Sequence, residues 1–129
     1  MARKRWANQI YDASYDKELL EKRILAKDLC QKFNSCEAKQ MEEKKKILER
    51  LFQKEIDIIG IEPNFYCDYG FNIHLGKNFY SNHNLVILDA NKVEFGDNVV
   101  IGAGSVVNKD IPSNCVAVGN PCKVIKKMQ

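Results

Sequence analysis

The hydrophobic residues follow one spacing in the first half of the chain and another in the second half. Between about residues 16 and 33 they recur every three or four positions, which predicts an amphipathic helix. Its apolar rows are Leu20 with Ile24, and Leu25 with Leu29 and Phe33. Asp16 is the candidate N-cap, since Asp is favoured at that position.

A second helix is predicted from about residue 36 to residue 54, with Ser35 as its candidate cap. Its apolar stripe consists of Met41, Leu48, Leu51 and Phe52. The opposite face is nearly all Lys and Glu, which is typical of a solvated surface. Together the two segments predict a helical hairpin whose apolar faces pack against another part of the protein.

The spacing changes after residue 63, where turn-forming residues become dense and a six-residue period begins. Residues 95–124 read FGDNVV, IGAGSV, VNKDIP, SNCVAV and GNPCKV. A repeat of this kind predicts a parallel β-helix with a strand and a turn in each block. Gly, Asn and Asp are expected at the corners because they tolerate positive φ.

The repeat also predicts which side chains point into the β-helix. The inward series is Leu75, Ser81 and Ile87, followed by Phe95, Ile101, Val107 and Ser113. The two parts of the series are separated by a shift of two residues at positions 91–92. The predicted fold class is therefore mainly β, a β-helix preceded by a helical hairpin. The predicted boundary divides residues 1–58 from residues 59–129.

Composition narrows the classes of function. At 129 residues the chain is the size of one domain, and a net charge of +3 gives no case for nucleic-acid binding. We expect no secretory signal and no membrane span, because no long apolar run follows the basic N-terminus. Five separated cysteines predict reduced thiols in a cytoplasmic protein. No metal site is expected, since there are only two histidines and no cysteine pair.

Several motifs together resemble the maltose and galactoside O-acetyltransferases, which are hexapeptide-repeat acyltransferases. The motifs are residues 11–14 (YDAS), 65–70 (FYCDYG), 72–76 (NIHLG), 78–80 (NFY), 86–89 (VILD), 102–107 (GAGSVV), 109–112 (KDIP) and 119–125 (GNPCKVI). The resemblance covers almost the whole chain. It implies a left-handed β-helix, a homotrimer with active sites between subunits, acetyl-CoA as cosubstrate, and a sugar or another hydroxyl-bearing small molecule as acceptor.

The resemblance also implies site residues. On the acceptor side the matching positions are Asp12, Arg23, Asp68, Tyr80, Asn82 and Asp89. On the coenzyme A side they are Ala103, Asn108, Lys109, Lys123 and Lys126. Each also has a plain structural interpretation, as a helix-surface charge, a corner residue or a solvated tail lysine. For the lysines, a phosphate-rich ligand gives a physical reason to cluster.

One expected segment is missing. In the family a loop resembling Thr-x-x-His-Pro follows the coil equivalent to residues 93–98, and its histidine is the general base. Here residues 92–98 (KVEFGDN) run directly into residues 99–102 (VVIG), so the β-helix is expected to be shortened. His74 is interpreted as structural. His83 lies among the acceptor-side positions and is retained as an alternative base.

Three functional interpretations remain open from the sequence. The chain is an acetyl-CoA-dependent O-acetyltransferase acting on sugars, a catalytically inactive relative that binds or scaffolds, or a deletion product without a selected function. Without the family's histidine, we expect sugar acetylation to be very slow or absent. The sequence does not identify the acceptor.

Overall fold

The computed structural model describes residues 13–128, beginning with the predicted hairpin of helices. The first helix, α1, spans Ala13–Ser35 and is longer than the predicted segment at both ends. Asp16 therefore lies in the first turn of the helix, and its prediction as the N-cap was wrong. An acidic side chain there still interacts favourably with the helix dipole.

The second helix, α2, spans Met41–Phe52, so the predicted start at residue 36 was wrong. Residues 36–40 form turns instead, in which the Cys36 N–H donates to the Phe33 carbonyl. The residue before α2 is Gln40, not Ser35, and it makes no side-chain capping bond. Gln53 ends the helix in the left-handed conformation, with φ of 59°.

Ten short strands follow the hairpin in the part of the chain that the structure describes. They are β1 Gly60–Ile61, β2 Phe65–Cys67, β3 Ile73–His74, β4 Tyr80–Ser81, β5 Leu85–Ile87, β6 Val93–Glu94, β7 Val99–Ile101, β8 Val106–Val107, β9 Cys115–Val118 and β10 Lys123–Lys127. They form three sheets, ordered β1-β4-β7-β9-β10, β2-β5-β8 and β3-β6. Every pairing is parallel except that of β9 with β10. This is the predicted stack of coils. The first two coils contribute one strand to each sheet, and the third contributes β7 and β8 and an isolated bridge from Ile111 to Phe95.

The coils are unequal in length. Tyr80 pairs with Gly60 and with Val100, a step of 20 residues in each direction. The next step, from Val100 to Val116, is 16 residues. The long coils confirm the shift of two residues expected at positions 91–92.

The shorter last coil changes one inward position. The predicted inward residue Ser113 is exposed, because Ile111 bridges to Phe95 and takes that place in the stack. The other predicted inward residues are buried, apart from Leu75, which is partly buried. The inward hydroxyl of Ser81 has no hydrogen-bond partner among the described residues.

Three stacked corners connect the faces. The first corner comprises residues 62–64, 82–84 and 102–104, the second 68–72, 88–92 and 108–110, and the third 75–78, 96–98 and 112–114. Asparagine adopts positive φ at the third corner, at Asn78, Asn98 and Asn114. Their side-chain amides form a ladder, with contacts of 3.0 and 2.9 Å. This confirms the expectation that corners use residues tolerant of positive φ.

The helical hairpin and the first coil share one core. The Phe65 ring on β2 meets the rings of Phe33 and Phe52 edge to face, with centroids 6.5 and 6.0 Å apart. Gly70 lies against Leu51 so closely that a Cβ there would overlap the Leu51 carbonyl. The hairpin therefore packs directly against the second corner.

Part of the first helix is left uncovered. Leu20, Ile24 and Leu25 are 55, 50 and 48% exposed. These three predicted apolar positions are therefore not packed against the described residues. Ala26 and Cys30 are buried instead, beside the predicted Leu29 and Phe33. No helix within residues 13–128 is long and apolar enough to cross a membrane.

Candidate functional site

The second corner is built around the buried carboxylate of Asp89, which is 0% exposed. Its Oδ1 accepts the backbone N–H groups of Asp68 and Tyr69, both at 2.9 Å, and its Oδ2 accepts the Gly70 N–H at 2.7 Å. A buried carboxylate is tolerated only with such partners. In this conformation Asp89 shapes the loop that follows β2, and both of its carboxylate oxygens are engaged there.

Two predicted acceptor-side residues flank this loop. Asp68 is partly buried; its desolvation and the charge of Asp89 raise the pKa of its carboxyl group, and the positive charge of Arg23 opposes that increase. Arg23 is exposed on α1. The fold therefore brings both Arg23 and Asp89 close enough to Asp68 to interact with it electrostatically.

A second polar group lies at and beside the first corner. The Tyr80 hydroxyl on β4 donates to Glu62 Oε2 at 3.2 Å. Desolvation, followed by this hydrogen bond, raises the pKa of Tyr80. Asn82 is exposed, and its Oδ1 accepts the His83 backbone N–H at 2.8 Å. The His83 ring contacts the Pro63 carbonyl through Nδ1, 2.5 Å away.

The predicted acceptor residues therefore form two groups within one chain. Tyr80 and Asn82 precede β5, whereas Asp89 follows it, and Asp68 occupies the corresponding place after β2. The first group lies at the N-terminal ends of the strands in the β2-β5-β8 sheet, and the second group lies at their C-terminal ends. Asp12 lies outside the described residues. The assignment of these residues to an acceptor site stays a prediction.

The predicted coenzyme A residues are all exposed and belong to the last coil and the strand after it. Ala103 lies in the first corner, and Asn108 and Lys109 lie in the second corner. Lys123 and Lys126 lie on β10, where they pair with Val118 and Val116 of β9. A positively charged edge of this kind suits a phosphorylated ligand.

His74 lies apart from the first corner, on β3 in a different face. Burial, followed by the charges of Lys54 and Lys92, lowers the pKa of its imidazole. Within residues 13–128, no group of three or more His, Cys, Asp or Glu residues is arranged to hold a metal ion.

The cysteines are all free thiols. The sulfurs of Cys30 on α1 and Cys67 on β2 lie 3.9 Å apart. The hydrogen bond with Cys30, followed by burial, raises the pKa of the Cys67 thiol.

Three residues that make contacts in or near the candidate site were not identified from the sequence. They are Glu62 and Pro63 at the first corner and Lys54 at the end of the hairpin. Glu62 and Pro63 precede Asn82 and His83 by the same 20 residues that separate paired strands, so the coil length was the signal that could have identified them. Lys54 Nζ donates to the Ile73 carbonyl at 2.9 Å and joins the end of the hairpin to β3. No sequence pattern indicated that contact.

Comparison with known proteins identifies the family. Residues 4–55 match the maltose acetyltransferase hexapeptide capping motif. A Saccharomyces cerevisiae protein whose name assigns it to the acetyltransferases is 36% identical over 174 residues, covering 93% of this chain and 89% of its own. The galactoside O-acetyltransferase of Escherichia coli is 31% identical over 164 residues, covering 85% of this chain and 81% of its own.

Among solved structures, a galactoside acetyltransferase in complex with coenzyme A is similar at a TM-score of 0.57 and 30% identity. The match covers 86% of this chain and 82% of that one. The stacked coils, the preceding hairpin and these matches lead to one assignment: the chain belongs to the maltose and galactoside acetyltransferase family of hexapeptide-repeat proteins.

Proposed function

We propose that this protein is an acetyl-CoA-dependent O-acetyltransferase that acetylates a hydroxyl group of a sugar or a related small molecule. The observation that carries the proposal is the likeness to a galactoside acetyltransferase solved with coenzyme A, which extends over 86% of the chain. The similarity to the galactoside O-acetyltransferase of E. coli supports the same acceptor class.

The donor would bind along the last coil and β10. Lys109, Lys123 and Lys126 are exposed there and can neutralise phosphate groups of coenzyme A. Ala103 and Asn108 lie in the last coil at opposite ends of β8, so an extended ligand suits the spacing better than a compact one. No metal is needed for this binding mode.

We also propose a left-handed coil stack and a homotrimer. The separation of the acceptor residues into two groups supports a site shared between copies, because a second copy can place its first corner beside the second corner of its neighbour. Light scattering coupled to size exclusion should give three times the 14.8 kDa chain mass. A monomer mass at micromolar concentration contradicts the trimer.

An inactive relative that binds or scaffolds is the alternative, and one observation favours it. The alignment with the yeast protein extends over 174 residues, more than the 129 residues of this chain, so part of that relative has no counterpart here. This supports the proposal that the β-helix is shortened and lacks the family's histidine-bearing segment.

Thiol release from acetyl-CoA with maltose, glucose and a galactoside tests the activity, and titration calorimetry with coenzyme A tests donor binding. Lys123→Glu should weaken coenzyme A binding by roughly 1.5–3 kcal/mol through loss of a charge-assisted contact. Lys45→Glu on α2 is the matched control, since it reverses an exposed charge on the hairpin, which packs against β2 of the first coil. Binding without turnover supports the inactive alternative, whereas equal binding by wild type and Lys123→Glu contradicts the donor site.

A further inference from the structure

His83 lies at the first corner, where one of its ring nitrogens contacts the main chain of the preceding coil. Its Nδ1 contacts the Pro63 carbonyl oxygen, which can only accept a hydrogen bond. Nδ1 must therefore carry the proton. In the neutral imidazole, the lone pair is then on Nε2.

The backbone of His83 is also held on both sides. Its N–H donates to Asn82 Oδ1 at 2.8 Å, and its carbonyl accepts the Gly104 N–H at 2.9 Å. The His83 ring thus contacts Pro63 in the preceding coil. The His83 main chain is hydrogen-bonded to Gly104 in the following coil. Within residues 13–128, Nε2 has no hydrogen-bond partner, and the side chain is exposed.

The position of His83 links the two predicted ligand sides. Asn82, a predicted acceptor residue, precedes it directly, and Ala103, a predicted coenzyme A residue, lies one coil further at the same corner. One coil therefore separates the predicted acceptor residue from the predicted coenzyme A residue at this corner. Neighbouring strands in a sheet lie about 4.8 Å apart, which sets the scale of that separation. The hydrogen bond between Tyr80 and Glu62 lies beside this corner, because Tyr80 is on β4, the strand that leads into Asn82.

We propose that His83 is the general base of the transferase, in place of the histidine that this chain lacks; the inference rests on the proposed function. The acceptor hydroxyl gives its proton to Nε2 while its oxygen forms a bond to the thioester carbonyl carbon. The carbon–sulfur bond then breaks, and the imidazolium returns the proton to the departing thiolate. The products are the O-acetyl ester and free coenzyme A, so atoms and charges balance.

The fixed tautomer supports this role, since a general base must present an unprotonated nitrogen toward its substrate. Orientation of a histidine through its other ring nitrogen is the arrangement that hydrolytic triads use. His74 does not compete for this role because its face of the β-helix does not border the first corner.

The experiment compares wild type, His83→Ala and His74→Asn in acetyl-CoA turnover with maltose, glucose and a galactoside. His83→Ala should lower kcat roughly 10²- to 10⁴-fold, the range expected for loss of a positioned base. Coenzyme A affinity and acceptor KM should stay close to wild type, and added imidazole should restore part of kcat. His74→Asn removes the other histidine and should retain wild-type kcat.

The outcomes separate the two proposals. If wild type turns over and His83→Ala has the same kcat, the base assignment is overturned and the transferase proposal stands. If His83→Ala loses coenzyme A affinity without a change in kcat, the residue is a binding residue and the assignment is likewise overturned. Absence of turnover in wild type overturns both proposals.

Discussion

The first and second corners of the coil stack use polar residues in opposite ways. At the second corner the Asp89 carboxylate is fully buried and accepts three backbone N–H groups. At the first corner Asn82 and His83 are exposed, and His83 Nε2 is unpaired among the described residues. The same repeat thus produces one corner that stabilises the fold and another with atoms available to a ligand.

The largest expected effect comes from removing the negative charge of Asp89 at the second corner. Asp89→Asn replaces a carboxylate oxygen with an NH₂ group, which confronts a backbone N–H in a buried site. We expect the free energy of unfolding to fall by about 3–4 kcal/mol, since the buried Gly70 N–H loses its acceptor and the other two bonds lose their charge assistance. Urea denaturation measures the change.

Asn82→Ala is the comparison at the first corner. It removes one hydrogen bond of an exposed side chain, so the expected loss is under about 1 kcal/mol. Similar losses for the two variants would show that the two corners do not differ in their structural roles.

A pair of glycines provides the next test. Gly70 at the second corner has φ of 91°, and an added Cβ would lie 2.7 Å from Leu51 Cδ1. Gly104 at the first corner has φ of 72°, but among the described residues an added Cβ would have no neighbour within 4 Å. Gly70→Ala should destabilise by about 2–3 kcal/mol, and Gly104→Ala only by the left-handed backbone cost of about 1–2 kcal/mol.

Thermal or urea unfolding of the two glycine variants, measured side by side, gives the difference directly. Because both residues have positive φ, the backbone penalty largely cancels and the packing against Leu51 remains. A larger loss for Gly104→Ala than for Gly70→Ala would contradict the close docking of the hairpin on the second corner.

Local patterns predicted the repeat well because each coil repeats the same physical demand. Inward positions must be apolar and corners must tolerate positive φ, so Ile87, Ile101 and Asn78 were readable from the spacing. The shorter last coil was not readable. Ser113 matched the period, but only the bridge between Phe95 and Ile111 reveals that the chain takes a step of 16 residues.

The candidate site was less predictable, since its contacts join residues far apart in sequence. The motif around Asp89 gave no sign that the carboxylate is buried against the backbone of residues 68–70. The proton on His83 Nδ1 depends on the Pro63 carbonyl, which no motif includes. The helix boundaries were missed for a local reason: the turn at residues 36–40 lacks Gly and Pro, the usual helix-ending residues.

The smallest expected effect is a pH dependence at Asp68. Desolvation and the charge of Asp89 raise the pKa of its carboxyl group above the ordinary 3.8, so the native state holds this proton more tightly than the unfolded chain does. Between the ordinary pKa and the raised pKa, Asp68 is ionised in the unfolded chain but still holds its proton in the native state. Raising the pH through this range therefore favours the unfolded chain. The contribution of Asp68 to stability falls with increasing pH over that window.

Asp68→Asn cannot ionise, so its stability relative to wild type should increase as pH rises from about 3 to 7. The gain should stay under about 1 kcal/mol, because Asp68 is only partly buried and solvent screens its charge. Urea midpoints at low salt measure it. Arg23→Gln sharpens the test: without the opposing cation, the same Asp68→Asn change should give a larger gain at neutral pH. A gain that is equal at pH 3 and pH 7 in both backgrounds would mean that neither desolvation nor the charge of Asp89 raises the pKa of Asp68 in the native state.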